Sequence, residues 1–113
     1  MEQTDCVFCN IANHTMPSEV VHEDDDIIIF KDILPQAPVH LQIIPKQHIP
    51  SVTDLTDGDA ALVGKMVMAG KKLAEDQGIA ETGYKLTFNV GKQGGQIVPH
   101  IHLHLMGGKQ LSQ

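Results

Sequence analysis

The sequence predicts an α+β domain built on an antiparallel sheet. Three observations carry that expectation. Three short apolar runs joined by hairpin-length links precede one long amphipathic stretch, and two further extended runs follow it. At 113 residues the chain can bury one hydrophobic core but not two, so residues 1–113 are read as a single domain.

The elements follow in order. A short helix fits Cys6–Asn13, because Val7, Phe8, Ile11 and Ala12 share a face at helical spacing. Val20-Val21-His22 and Ile27-Ile28-Ile29-Phe30 flank the acidic turn Asp24-Asp25-Asp26 and read as a hairpin. Pro35 and Pro38 bracket a loop, and His40–Pro45 ("HLQIIP") is the third strand. A long helix then starts at Thr56 as N-cap, with Asp57 and Asp59 in its first turn favouring the positive end of the dipole. Its buried stripe is Leu62, Met66, Ala69, Leu73 and Ala74, and Gly78 sits where a C-cap glycine belongs. Strands over Tyr84–Val90 and His100–Met106 complete an expected sheet of about five strands, with one long and one short helix.

Composition narrows the function classes. Hydrophobic residues make up 42% and charged residues 19%, and 8 basic against 14 acidic side chains give a net charge of -6. Nucleic acid and anionic membrane are not expected partners, since the cationic surplus that neutralises phosphates is absent. The N-terminus carries no charged and apolar leader pattern, and no segment has the length of a bilayer span. Two cysteines spaced C-x-x-C suit a reducing compartment, so a cytoplasmic location is expected.

The chemistry concentrates in "PHIHLHLM", residues 99–106. In an extended strand, alternate residues face one side, so His100, His102 and His104 should line one face while Ile101, Leu103 and Leu105 bury the other. Neutral imidazole is both nucleophile and proton donor near physiological pH. Alternate histidines on a strand can also supply zinc ligands, and a wet strand face needs no ligand at all. Just upstream, "NVGKQGGQ" puts Gly94-Gly95 where backbone N–H groups can cradle an anion.

"HIHLHLM" matches the alternating histidine and apolar signature of the histidine triad (HIT) family. "FKDILPQAPVHLQIIPKQHI" and "NVGKQGGQ" resemble its nucleotide-binding, or Hint, branch, and the similarity runs from Cys6 to Gln110. The resemblance implies a HIT-like fold, a homodimer, and hydrolysis of purine nucleoside phosphoramidates at the α-phosphate, releasing AMP or GMP. By that resemblance His102 attacks phosphorus and carries a nucleotidyl intermediate. His104 contacts the phosphate or leaving group, and His40 supports the nucleophile. Asp32 holds the ribose. Asn89 and the Gly95–Ile97 backbone, Gln96 included, hold the phosphate. Val7, Phe8, Ile11, Phe30 and Ile33 form the slot for the base. Ile97 stands where many relatives carry a serine, which removes a hydroxyl from the leaving-group side. The tail "GGKQLSQ" lacks the aromatic extension of some relatives.

Cys6 and Cys9 have three readings: a redox pair, buried thiols, or half of a zinc site. Some HIT proteins with an N-terminal C-x-x-C bind zinc through both cysteines, a histidine after the "IPK" strand and the first triad histidine. Cys6, Cys9, His48 and His100 match those positions, and a Cys₂His₂ shell without an open position is structural. No organic cofactor is expected. His14 and His22 read as surface residues. A nucleotide-binding module with little turnover, and a zinc hydrolase using all three triad histidines, are the competing functions. The second lacks a nearby carboxylate to act as general base.

Overall fold

The computed structural model describes residues 4–112. Its elements are α1 (Val7–Ala12), β1 (Val20–Glu23), β2 (Ile27–Lys31), β3 (Val39–Pro45), α2 (Ala60–Asp76), β4 (Tyr84–Phe88) and β5 (Leu103–Gly107). The five strands form one sheet in the order β1-β2-β3-β5-β4, every pair antiparallel. The α+β expectation holds, and the central neighbours β3 and β5 are brought together by the long excursion through α2.

Strand alternation splits the apolar residues into two layers. Ile27, Ile29, Leu41, Ile43, Leu103 and Leu105 face α2 and pack with Met66, Leu73, Ala74 and Ile79. Ile28, Phe30 and Ile44 face the opposite way and pack with Phe8, Ile11 and Ala12 of α1. Because helices cover both faces of β2, it reads as an unbroken apolar run rather than an alternating one.

Helix α2 is introduced by a 3₁₀ turn over Asp57–Asp59, in which the Asp59 carboxylate accepts the Thr56 backbone N–H at 2.9 Å. It ends in a Schellman arrangement around Gly78 (φ 76°), with Gly78 N donating to Glu75 O and Ile79 N to Ala74 O. The buried stripe includes Gly70, which the apolar pattern alone passes over. A Cβ there would lie 3.0 Å from Leu86 Cδ2 and 3.2 Å from Ile43 Cδ1, so glycine lets the helix settle close to the sheet.

The last strand is shorter than its histidine alternation suggests. It begins at Leu103 rather than His100, and β4 correspondingly ends at Phe88, the partner of Leu103, rather than at Val90. Pro99 lacks an N–H, and the following backbone is diverted: His100 N donates to Val98 O and Ile101 N to Ile49 O. His100 and His102 therefore sit on an irregular lead-in, and only His104 lies in the strand.

Candidate active site

The histidines cluster on the sheet face that carries α1. His40 and Gln42 point there from β3, and His104 is the cross-strand partner of Gln42. Phe8 of α1 meets His102 edge-on at 5.0 Å between ring centroids, and His102 meets His104 at 4.9 Å. Two of the three triad rings thus share a site, although His102 reaches it from outside the strand.

Hydrogen-bond partners assign the tautomers. A carbonyl can only accept, so His102 donates Nδ1–H to His100 O at 2.8 Å and keeps a lone pair on Nε2. A backbone N–H can only donate, so Gln36 N donates to His40 Nδ1 at 3.1 Å and the proton of His40 is on Nε2. That Nε2–H lies 3.0 Å from His104 Nδ1, which accepts it and leaves the proton of neutral His104 on its own Nε2. Burial disfavours the charged form of both rings. His102 is held below the ordinary histidine range, and His104, with His102 and His40 as further neighbours, is pushed down to about 4. At neutral pH the site holds a free nucleophilic nitrogen beside a fixed N–H donor.

Asp32 lies just past β2 at the edge of this cluster. Its Oδ1 accepts the Leu34 N–H at 2.8 Å, and its Oδ2 accepts Gln42 Nε2 at 2.6 Å. His40 Nε2 is 3.4 Å from the same Oδ2. Asp32, His40 and His104 are close enough to share a metal ion. The proton on His40 Nε2 occupies the position such a bond would need, so the cluster is a hydrogen-bonded relay.

The loop from Asn89 to Ile97 is held together internally. Asn89 Nδ2 donates to Gly94 O at 2.9 Å, Gly95 N to Lys92 O, and Gln96 N to Gly91 O. The Gln96 side chain accepts from Gly91 N and donates to Pro50 O and Val98 O, clamping the loop. The backbone N–H groups expected of Gly95 and Gln96 therefore close turns, which narrows the anticipated cradle to Asn89 and the Ile97 N–H. Of the residues anticipated around a base, Phe8, Ile11 and Phe30 are buried together, whereas Val7 is 42% and Ile33 88% exposed. The Ile97 side chain is also exposed, at 90%.

A second cluster joins α1 to the lead-in of β5. Cys6, Cys9, His48 and His100 each bring one ligand atom within 4.8 Å of all the others. His100 Nδ1 lies 3.3 Å from Cys6 Sγ, 3.4 Å from Cys9 Sγ and 3.2 Å from His48 Nδ1. His100 Nε2–H donates to Pro45 O at 2.8 Å, which puts a lone pair on Nδ1, aimed at the sulfurs. Burial and neighbouring Cys6 push the Cys9 thiol up to about 12. His14 and His22 pair with Glu23 and Asp24 on the surface, as anticipated.

Gln42 and the Gln36 N–H are the site groups that motif reading passed over. The available signal was a polar residue inside "HLQIIP", two positions from His40 and hence on its face.

An antiparallel α+β sheet presenting a lone-pair imidazole nitrogen beside a donor-locked one defines a histidine-centred site of the nucleophile-and-donor kind. The family model described as "Scavenger mRNA decapping enzyme C-term binding" matches residues 5–113. A purine nucleoside phosphoramidase of Escherichia coli K12 is 45% identical over 105 residues, covering 93% of this chain and 88% of that protein. A HIT family hydrolase from Legionella pneumophila superposes with a TM-score of 0.94 at 51% identity, covering 96% of each chain. A Zn-bound histidine triad family protein from Mycobacterium smegmatis gives 0.80 at 30% identity, over 93% of this chain and 76% of that one. The chain belongs to the matched family and to the histidine triad proteins that these relatives represent.

Proposed function

We propose that the chain hydrolyses purine nucleoside phosphoramidates, with His102 as nucleophile. One observation carries this reading: the 2.8 Å contact from His102 Nδ1 to His100 O, which leaves Nε2 unprotonated. In the first step a bond forms from Nε2 to the α-phosphorus and the P–N bond breaks. The electron pair goes to the departing amine, which takes a proton from water. The positive charge that develops on the His102 ring is shared with the His100 carbonyl. In the second step water attacks phosphorus and gives its proton to the hydroxide left by the first step, the P–Nε2 pair returns to the ring, and the nucleoside monophosphate leaves. Neutral His104 contributes its Nε2–H as a hydrogen bond to a phosphate oxygen, with the Ile97 N–H and Asn89 beside it. Asp32 accepts from the ribose hydroxyls, and Phe8, Ile11 and Phe30 floor the base slot with Val7 and Ile33 at its open rim.

Cys6, Cys9, His48 and His100 hold a structural Zn²⁺ in this reading. A tetrahedron with ordinary Zn–S and Zn–N bonds spaces its ligand atoms about 3.3–3.8 Å apart. The separations of 3.2–3.4 Å around His100 Nδ1 lie at the short end of that spacing, and the two-sulfur, two-nitrogen donor set suits the ion. Bound there, the ion would keep both thiolates ionised and tie α1 to the segment that carries His102.

The chain acts as a cytoplasmic homodimer. Strand β1 ends the sheet with a register irregularity and the polar residues His22 and Glu23, features that blunt an edge. Strand β4 is the other edge, with five half-buried residues in regular register and Lys85 as its one charge, and its apolar residues suit edge pairing about a two-fold axis. Among the described residues no helix is long and apolar enough to cross a membrane.

The deciding experiment is turnover of adenosine 5′-phosphoramidate by the parent and by His102→Ala, each with and without chelator. Hydrolysis that survives chelation and disappears in the variant supports the reading. AMP binding without turnover by the parent would favour the binding module instead.

A further inference from the structure

We propose that Gln42 is a positioning residue that decides which partner receives the single proton of His40. The inference rests on the site reading above but not on its substrate. His40 Nε2–H has two acceptors in reach: His104 Nδ1 at 3.0 Å and Asp32 Oδ2 at 3.4 Å. A carboxylate is the stronger acceptor, so on charge alone Asp32 would take the bond. Gln42 Nε2 already donates to that oxygen at 2.6 Å, so its short contact is with the amide while His40 Nε2 stays at 3.4 Å. The proton of His40 is left for His104, and His104 is thereby kept with its own proton on Nε2.

Two further facts favour this role over packing. Gln42 is 8% exposed in a strand whose neighbours Leu41, Ile43 and Ile44 are apolar and buried. Its Oε1 is buried without a hydrogen-bond partner, so half of the amide is a liability that a Leu or Met would not carry. A residue retained for its N–H alone fits the geometry. In the flipped amide orientation, Oε1 would face the carboxylate, which excludes that alternative.

The test uses Gln42→Met, of similar length but without a donor, with Gln42→Leu as the second variant. Imidazole ¹⁵N–¹H correlation spectra should show His104 of the parent as the Nε2–H tautomer. In the variants Asp32 captures His40, and His104 becomes a mixture of tautomers. Turnover of adenosine 5′-phosphoramidate should fall about ten-fold in kcat, with KM changed less than about two-fold. In an Asp32→Asn background Gln42→Met should add little further loss, because it acts through that carboxylate. A folded variant with the parent His104 spectrum overturns the proposal, as does a lowered melting temperature with spectrum and kcat unchanged. The spectra need no substrate, so a parent protein without turnover would sink the activity reading while leaving this inference testable.

Discussion

His100 and His102 are linked by a single hydrogen bond, Nδ1–H of one ring to the backbone carbonyl of the other residue at 2.8 Å. The His100 ring itself turns the opposite way, into the cluster with Cys6, Cys9 and His48. The residue that completes the cysteine cluster is thus also the residue that orients His102, the proposed nucleophile. Structural and chemical roles meet at one peptide unit.

Metal removal should therefore weaken catalysis without being its chemical cause. Elemental analysis is expected to find one zinc per chain in the parent and none in Cys9→Ala. Chelation should lower the melting temperature and reduce turnover partially, with zinc restoring both. Complete loss of turnover in a chelated protein that still melts like the parent would instead assign the metal a chemical role.

Ribose recognition should depend on Asp32. The parent should prefer a ribonucleoside phosphoramidate over its 2′,3′-dideoxy analogue by about ten-fold or more in kcat/KM, the worth of a hydrogen bond to a charged group. In Asp32→Ala that preference should vanish, whatever happens to the absolute rate. Steady-state kinetics on the two substrates checks this directly.

Stability should fall on mild acidification. The folded pKa of His104 is depressed to about 4 by burial and by His102 and His40, against about 6.5 when unfolded. Between those values the unfolded chain binds more protons, so the contribution is full above about pH 6.5 and is lost as pH falls toward 4. The lowered carboxylates Glu23 and Asp24 act in the same direction, but only below about pH 4.5. Urea unfolding at pH 7.5, 6 and 5 should show a declining midpoint, and His104→Gln should decline less steeply over that window.

The loop before the lead-in should tolerate no side chain at Gly94. A Cβ there would run into the Val90 carbonyl oxygen, a backbone atom that cannot swing aside. Gly94→Ala is expected to open the turn that Asn89 closes, lowering kcat/KM about ten-fold by displacing the donors it carries. Unchanged kinetics in a folded Gly94→Ala would remove the loop from the site.

Most of the sheet was legible because its apolar runs are local. Ile27–Phe30 and "HLQIIP" are short apolar runs bounded by turn residues and read as strands, and Thr56, Asp59 and Gly78 mark the ends of the long helix with capping chemistry. The start of β5 was not legible. Its alternation of histidine and aliphatic continues through residues 100–102, while the backbone there answers to Ile49 and Val98, partners distant from the pattern or hidden by it. The turn closure by the loop N–H groups of Gly95 and Gln96 was hidden for a similar reason, since it depends on carbonyls at Lys92 and Gly91 whose directions no spacing reveals. The cysteine cluster lay within reach through family resemblance, because two cysteines and two histidines at four matching positions leave little freedom. Gln42 escaped because no motif names it, and its meaning appears only when two distances to one carboxylate oxygen are compared.

The most direct measurement is rapid-quench trapping of the parent with radiolabelled adenosine 5′-phosphoramidate, followed by peptide mapping. The expected result is a transient nucleotidyl adduct on His102 that forms and decays at rates able to carry turnover. Product accumulating with no adduct at that residue, or turnover persisting in His102→Ala, would contradict the role given to its Nε2.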